Sequence, residues 1–248
     1  MPQCLKKQSQ NATRRDKFLD LAAFFALRKG IVCEHHMVSF SEDLKTLLPE
    51  DLPNRAAVFA GASRHMELIV ETNRQFNLTR ILEPREAAIK HILDSVLPWR
   101  LFADAQSVVD AGSGAGFPGV PLALALPDVR FTLLESTQKK ARFIASAITD
   151  LQLNNCAVFP DRAEDWLKAN TPEIVTARAV APLDKALGLF GAFVRKGGRL
   201  LLYKGADAEA EVAGARVAAA RNGWKVRIVQ RYELPDQLGA RAIVEVRR

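Results

Sequence analysis

One glycine-rich loop constrains the fold of this chain more than any other segment. Residues 110–119 read DAGSGAGFPG, and they follow a short apolar strand predicted over Val108–Asp110 and precede an apolar helix. Glycine allows tight backbone turns and leaves no Cβ where a ligand approaches the main chain. A loop of this kind between a strand and a helix is the place where doubly wound α/β sheets bind nucleotide-like ligands. We therefore expect a domain of that type around it.

Strands and helices alternate from Ser107 to the end of the chain. Alternation predicts a largely parallel sheet that is covered by helices on both faces. The last two predicted strands have no helix between them, so they should add an antiparallel edge. The expected fold is an α/β, Rossmann-like, doubly wound sheet of seven strands with the last strand antiparallel. After Val108–Asp110, the other strands are predicted at Arg130–Glu135, Cys156–Phe159, Ile174–Ala177, Arg199–Tyr203, Trp224–Gln230 and Ala242–Val246.

The domain organisation is predicted in three parts. Residues 1–36 form a basic extension with seven Lys/Arg and three Asp/Glu. This extension is either a flexible basic arm or a stretch that precedes a true start at Met37. Residues 37–100 form a helical segment, and residues 101–248 form the α/β domain. In the helical segment, Pro84 suits the first position of a helix that runs to about Leu97.

Charge, cysteine content and the lengths of apolar runs indicate the cellular compartment and the kind of partner to expect. The net charge of +7 is consistent with an anionic partner such as nucleic acid. The three cysteines, Cys4, Cys33 and Cys156, include no CxxC pair, so we expect neither a disulfide framework nor a metal site. A reducing cytoplasm fits this usage. No apolar run of about 18 residues occurs, so no membrane span is expected.

The charges around the glycine loop indicate which ligand it binds. Gly112, Gly114 and Gly116 form a GxGxG pattern that Asp110 precedes. A carboxylate there would repel the pyrophosphate of NAD, but it suits the cationic S-adenosylmethionine. Glu135 ends the second strand, 23 residues after Gly112, where a carboxylate can accept both ribose hydroxyls. The alternative for Glu135 is a solvated acidic residue at a strand end.

The segment after the third strand reads DRAED over Asp161–Asp165. In a doubly wound sheet this loop lies at the carboxyl edge, beside the position of an adenine. We expect Ala163 and Glu164 to contact the base there. Asp161 and Glu164 also have the spacing of a capping box at a helix start, and both roles are compatible.

The chain resembles the RsmG (GidB) family of bacterial 16S ribosomal RNA methyltransferases, from about Leu68 to its C-terminus. The pairing of KHILDS with the glycine loop is specific to that family. The matching stretches are Asn77–Thr79, Lys90–Ser95, Asp110–Gly119, Phe131–Ser136, Arg162–Glu164, Thr176–Ala179 and Lys204–Gly205.

The resemblance implies a class I S-adenosylmethionine-dependent methyltransferase with an N-terminal helical segment. It implies methyl transfer to N7 of a guanine in 16S ribosomal RNA, with the 30S subunit as partner. Carried over by motif, the cofactor site would be lined by Gly112, Phe117, Ala163, Glu164 and Arg178. Phe117 stands where the family often has Leu, and Glu135 where it often has Asp; both changes keep the chemistry.

Residue chemistry agrees with guanine N7 as the acceptor. N7 carries a lone pair and no proton, so no general base is required and alignment of the reactants dominates. No NPPY or DPPY tetrapeptide follows the fourth strand, where Thr176–Ala179 stands instead. Arg178 is the candidate catalytic residue, because a guanidinium there can reach the cofactor or guanine O6. Its alternative role is a salt bridge at the sheet edge.

Several cations are candidates for contacts with RNA phosphates. For each of them the alternative is a solvent-exposed charge that binds nothing, since a run of charged residues is often a solvated surface. His91 is predicted to be either structural or an RNA contact, and a monomer is the expected state. The candidate RNA-binding residues are Lys139, Lys140, Arg142, Arg162 and Lys204.

Three other functions stay open from the sequence. One is a class I methyltransferase that acts on a small molecule or a protein. A second is an NAD-dependent oxidoreductase, which Asp110 disfavours. The third is a noncatalytic RNA-binding relative that has kept the fold.

Overall fold

A computed structural model describes residues 37–248, so the predicted basic extension over residues 1–36 lies outside the described part. Seven strands form one sheet in the order β3-β2-β1-β4-β5-β7-β6. The strands are β1 (Ser107–Ala111), β2 (Arg130–Leu134), β3 (Cys156–Phe159), β4 (Ile174–Arg178), β5 (Arg199–Lys204), β6 (Lys225–Leu234) and β7 (Gly239–Arg247).

Helices surround this sheet and also precede it. The third helix, α3, is continuous through an α-helical turn (Pro84–Ala87), a π-helical turn (Ala88–Leu93) and a further α-helical turn (Asp94–Val96). A short 3-10 turn follows at Trp99–Leu101. The other helices are α1 (37–47), α2 (Arg55–Asn73), α4 (Gly119–Ala125), α5 (Gln138–Asp150), α6 (Ala163–Ala169), α7 (Leu183–Arg195) and α8 (Ala208–Arg221).

The predicted fold class is confirmed by the sheet. The pairs β1·β2, β1·β4, β2·β3 and β4·β5 are parallel, whereas β7 is antiparallel to both of its neighbours. The last strand therefore inserts between β5 and β6 and leaves β6 at the edge. Parallel strands end at the same side, so the loops after β1, β2, β3, β4 and β5 meet along one edge of the sheet.

The N-terminal helices share a hydrophobic core with one face of the sheet. Met66 of α2 and Ile92 of α3 belong to the same buried cluster as Phe131 of β2 and Tyr203 of β5. A second cluster on the opposite face holds residues of α6, α7 and α8. The predicted boundary near residue 100 therefore separates two stretches of chain that are packed together.

One local detail, at the start of α6, differs from the prediction. The helix α6 begins with Arg162 at its N-cap, and Asp161 Oδ1 accepts a hydrogen bond from the N–H of Arg162 at 2.8 Å. The predicted capping box was wrong, because the side chain bonds to the nearest amide outside the helix. The helix α4 begins at Gly119, and Pro118 is its N-cap residue.

Candidate active site at the carboxyl edge of the sheet

The glycine loop turns back onto the neighbouring strand. The N–H groups of Gly112 and Ser113 donate to the carbonyl of Leu134 at 2.8 and 3.1 Å. Gly112 and Gly114 have φ of +75° and +62°, a region that L side chains rarely adopt. Gly112 is exposed, and a Cβ added there would lie 3.1 Å from a methyl of Val180. The loop therefore presents exposed, bare backbone beside Val180.

Glu135 holds this loop in place. Its Oε2 accepts from the N–H of Gly114 at 3.0 Å, and its Oε1 accepts from the N–H of Thr137 at 2.7 Å. The carboxylate thus joins the glycine loop to the start of α5. An ionised carboxylate offers about four acceptor positions, so each oxygen can accept a further hydrogen bond. The predicted contact with ribose hydroxyls is compatible with this structural role.

Asp110 lies beneath the loop and is fully buried. Its Oδ2 accepts from the N–H of Gly119 at 3.0 Å, which connects the end of β1 to the start of α4. Its Oδ1 has no hydrogen-bond partner among residues 37–248. Burial, which penalises the charged form, raises the pKa of Asp110 to about 6. Asp110 therefore supplies negative charge under the loop without an exposed oxygen.

This raised pKa predicts an unusual pH dependence for the ligand-free protein. The folded state binds a proton to Asp110 more readily than the unfolded state does, so the contribution of Asp110 to stability increases as pH falls from about 6 toward 4. Relative to Asp110→Asn, the wild type should gain on the order of 1 kcal/mol between pH 7 and pH 5. Urea unfolding of both proteins at the two pH values measures this difference. A constant difference would contradict the assigned pKa.

Phe117 lies within a series of packed rings. The imidazole of His91 stacks parallel to it at 4.5 Å between centroids, and His65 lies at 5.0 Å on a tilted plane. His65 stacks in turn on Phe143 at 5.9 Å. Burial lowers the pKa of His65 to about 4 and that of His91 to about 3. Both rings are therefore neutral near pH 7 and support Phe117 from α2 and α3.

Of the two histidines that pack around Phe117, the sequence indicated only His91 as a candidate. His91, for which a structural role and an RNA contact were both open, is buried, and its Nε2 lies 3.1 Å from Thr79 Oγ1. That placement favours the structural role. Sequence reasoning did not single out His65. His65 lies in a helical pattern of mixed polar and apolar residues, and this pattern does not indicate that its ring contacts Phe117 and Phe143.

Arg178 ends β4 and is anchored from α3. Its Nη1 donates to the carbonyl of Lys90 at 2.7 Å and to Asp94 Oδ2 at 3.1 Å. Asp94 is buried and also accepts from the hydroxyl of Tyr232 at 2.9 Å. The guanidinium carbon lies 5.6 Å from the ring centroid of Phe117. The salt bridge that was the alternative role is therefore present, and it holds the guanidinium near the ring of Phe117.

A cavity of about 680 Å³ opens between α3 and the ends of β4 and β5. Its lining includes four cations, Lys90, Arg178, Lys204 and Arg241, and two carboxylates, Asp94 and Glu211. The Nε and Nη2 of Arg178 donate to no protein group within residues 37–248. The volume is in the range of pockets that bind small molecules. An electron-rich or anionic group suits this lining.

The segment after β3 flanks Glu135. The strands β2 and β3 are paired, and the N–H of Glu135 donates to the carbonyl of Phe159 at 3.2 Å. Ala163 is buried as the first residue of α6, and Glu164 is half-buried with Arg162 Nη1 at 3.6 Å. The structure thus brings Ala163 and Glu164 to the same edge as the glycine loop.

The predicted RNA-binding cations separate into two groups. Lys139 and Arg142 are exposed on α5 and line a shallow groove with Phe76, and Lys140 is half-buried beside them. Lys204 is instead buried, and its Nζ donates to Glu211 and to the carbonyl of Ala181, both at 2.7 Å. The exposed basic surface therefore excludes Lys204.

Metal-binding clusters and membrane-spanning helices are absent from the described residues. Between residues 37 and 248, no three His, Cys, Asp or Glu side chains lie close enough together to hold a metal ion. Within the same range, no helix is long and apolar enough to cross a membrane.

Comparison with known proteins identifies the family of the chain. The family GidB, described as rRNA small subunit methyltransferase G, matches residues 59–238. The chain belongs to this family. The predicted resemblance is therefore confirmed over most of the α/β domain and over α2 and α3.

Relatives agree with this assignment. The chain is 67% identical over 210 residues to the ribosomal RNA small subunit methyltransferase G of Solibacter usitatus (strain Ellin6076). This match covers 85% of this chain and 100% of that protein. It is 37% identical over 193 residues to the protein of the same name from Xanthomonas axonopodis pv. citri (strain 306), covering 78% and 88%.

A solved structure supports the fold independently. Cofactor-bound Rv0187 from MTB superposes with a TM-score of 0.51 at 18% identity, covering 74% of this chain and 88% of that one. At this identity the likeness shows the fold alone.

Proposed function

We propose that this chain transfers a methyl group from S-adenosylmethionine to N7 of a guanine in 16S ribosomal RNA of the small subunit. One observation carries the proposal: in a member of this family, the bare backbone of Gly112 lies between two acidic strand ends and next to a cavity lined by Arg178. The first feature suits a cationic donor, and the second suits an electron-rich acceptor.

The residues around the loop fit S-adenosylmethionine. A Cβ added at Gly114 would meet no atom within 4 Å, so the space above the loop is open. Glu135 and Asp110 supply negative charge, and one oxygen of Asp110 has no partner within residues 37–248. Gly112, Gly116, Phe117, Ala163 and Glu164 complete the candidate cofactor site. When bound, this cofactor supplies a methyl group on a positively charged sulfur.

For the transfer itself, the protein has to align the reactants and exclude water. Guanine N7 needs no deprotonation, so no residue is assigned as a general base. Arg178 can donate through Nε and Nη2 to guanine O6, beside N7, as guanidiniums do in nucleic-acid complexes. Well-oriented reactants gain on the order of 7–11 kcal/mol relative to free ones. The anchoring of Arg178 by Asp94 and Lys90 serves this alignment.

The cations on α5 and after β3, of which all but Lys140 are exposed, are proposed to bind RNA phosphates. Lys139, Lys140, Arg142 and Arg162 lie at or near the carboxyl edge, where the target base has to enter. Ribosomal RNA is found in the cytoplasm, so we propose a cytoplasmic enzyme, which we expect to act as a monomer.

Salt dependence tests this basic surface. Lys139→Ala/Arg142→Ala should weaken 16S RNA binding, and the slope of log K against log salt should fall by about one for each phosphate that is no longer neutralised. S-adenosylmethionine affinity should stay unchanged. Arg216→Ala, an exposed arginine on α8 at the opposite face, serves as the control. An equal decrease in the control would contradict the assignment.

The decisive experiment maps N7-methylguanosine in 16S RNA from a strain with this gene and from its deletion. We expect one methylated guanine that disappears in the deletion and returns on complementation. The purified protein should restore it on RNA or 30S subunits from the deletion strain when S-adenosylmethionine is added. If the methylation map does not change, the acceptor is a different molecule or the chain is a noncatalytic relative.

A further inference from the structure

A cluster of arginines surrounds one buried carboxylate, far from the candidate active site. Glu245 of β7 is 1% exposed. Its oxygens lie 2.6 Å from Arg199 Nε, 2.8 Å from Arg227 Nε and 3.5 Å from Arg247 Nε. Three guanidiniums on one carboxylate leave an excess of two positive charges. Burial acts to raise the pKa of Glu245, but hydrogen bonds from Arg199 and Arg227 lower it overall, so the carboxylate stays ionised.

A fourth cation extends this cluster. Lys225 of β6 pairs in register with Arg247 of β7, and Arg227 pairs with Glu245. Opposite residues of an antiparallel pair, and residues two apart along a strand, project from the same face. Lys225 is exposed and has no carboxylate partner within residues 37–248. We call the four cations Arg199, Lys225, Arg227 and Arg247 the basic sheet end.

The outer arginines are held in place but remain accessible. The side chains of Arg227 and Arg247 are 56% and 48% exposed. Each approaches Glu245 through Nε, and neither η nitrogen of these two residues donates to a protein group within residues 37–248. A guanidinium presents paired N–H groups that match phosphate oxygens. The buried carboxylate therefore fixes Arg227 by a hydrogen bond and lies within ion-pair distance of Arg247, and both guanidiniums keep η nitrogens available to a phosphate.

The position of the cluster is informative. Arg199 and Lys225 are the first residues of β5 and β6, and Arg247 is the last residue of the antiparallel β7. The cluster is thus at the amino edge of the sheet, whereas the glycine loop is at the carboxyl edge. The length of β5, which has six residues, separates the two edges by about 20 Å. Asp104 and Glu173 lie near Arg199 on its β4 side, so the excess charge is on β6 and β7.

We propose that the basic sheet end is a second binding surface for the RNA backbone, used by RNA that extends about 20 Å or more beyond the target guanine. This inference rests on the proposed function, which supplies an RNA substrate. The competing explanation is protection of the edge strand β6, because charged side chains on edge strands prevent pairing with other chains. Edge protection does not require a buried carboxylate that orients the arginines.

Two RNA lengths and a matched control test the proposal. Lys225→Ala/Arg227→Ala should weaken binding to full-length 16S RNA, and the salt slope should fall by about two. Binding to a short hairpin that carries only the target guanine should not change. Arg231→Ala is the control, because Arg231 lies on the same strand, is 62% exposed, and is neutralised by Glu209 at 2.9 Å. It should leave both affinities unchanged.

A second variant separates RNA binding from folding. Lys225→Glu leaves the hydrogen bonds of Glu245 with Arg199 and Arg227 in place, so we expect an unaltered melting temperature. It changes the charge by two units, as Lys225→Ala/Arg227→Ala does, so we expect a decrease in affinity for long RNA of similar size. Unchanged affinity and salt slope with full-length RNA would overturn the proposal, as would a decrease in Arg231→Ala equal to that in the variants. If the wild type binds no 16S RNA at all, the proposed function fails first.

Discussion

Gly112→Asp is expected to abolish measurable binding of S-adenosylmethionine. The exposed backbone of Gly112 belongs to the proposed cofactor site, and an added Cβ would already lie 3.1 Å from Val180. Aspartate tolerates positive φ better than most residues, so the main effect is that its side chain fills ligand space. We expect Kd to rise at least 100-fold, which corresponds to about 2.7 kcal/mol. Isothermal titration calorimetry measures this change.

The same substitution at a second glycine, Gly188, tests whether the effect is specific to Gly112. Gly188 is exposed on α7, and a Cβ added there meets no atom within 4 Å. Gly188→Asp should bind the cofactor like the wild type. Thermal melting of both variants shows whether they are folded. Wild-type affinity in a folded Gly112→Asp protein would remove the loop from the cofactor site.

Arg178→Lys is expected to lower kcat on the order of 100-fold while changing S-adenosylmethionine affinity little. Arg178 uses Nη1 to hold the carbonyl of Lys90 and Asp94 and leaves Nε and Nη2 for a ligand. A lysine ammonium is a single point of charge and cannot do both at once. Removal of one preorganised donor typically costs on the order of 10²–10³ in rate. Single-turnover methylation of saturating RNA measures the effect on the chemical step.

Tyr232→Phe is the matched control for this network. It removes the hydroxyl that donates to Asp94 Oδ1 at 2.9 Å and to the carbonyl of Asp94 at 3.3 Å, and it leaves the ion pair of Asp94 with Arg178 intact. We expect kcat to fall by less than about 10-fold, because the guanidinium stays anchored through both of its own hydrogen bonds. If Arg178→Lys changes only the stability of the protein and not kcat, Arg178 is a structural salt bridge without a role in transfer.

Local sequence patterns were sufficient for most of the fold. Each predicted strand from Val108–Asp110 to Ala242–Val246 overlaps an observed one. Short apolar runs that are bounded by turn residues and alternate with longer helical patterns favour strands. Gly223 follows the C-cap residue of α8 with φ of +67°, the left-handed conformation that glycine commonly provides after a helix. The π-helical turn of α3 was not predicted, since it has no distinctive period, and the short α6 was anticipated only through the capping-box spacing of Asp161 and Glu164.

In the candidate site, the sequence indicated the residue types but not their burial or their partners. Lys139 and Lys204 look alike in sequence, yet Lys139 is exposed and Lys204 is buried against Glu211. The choice between an RNA contact and an internal ion pair depends on which residues the fold brings near each lysine. The same holds for Glu135, whose contact with the N–H of Gly114 connects residues 21 positions apart.

The sequence by itself determined the alternation of strands and helices, the glycine loop, the acidic strand ends and the family. These features depend on residues that are close along the chain, where spacing and side-chain type are visible. Only the tertiary structure decided that Asp94 anchors Arg178 across 84 positions, that two histidines support Phe117, and that arginines of β5, β6 and β7 converge on Glu245. Burial and pairing of charges arise from contacts between distant segments, which no local pattern encodes.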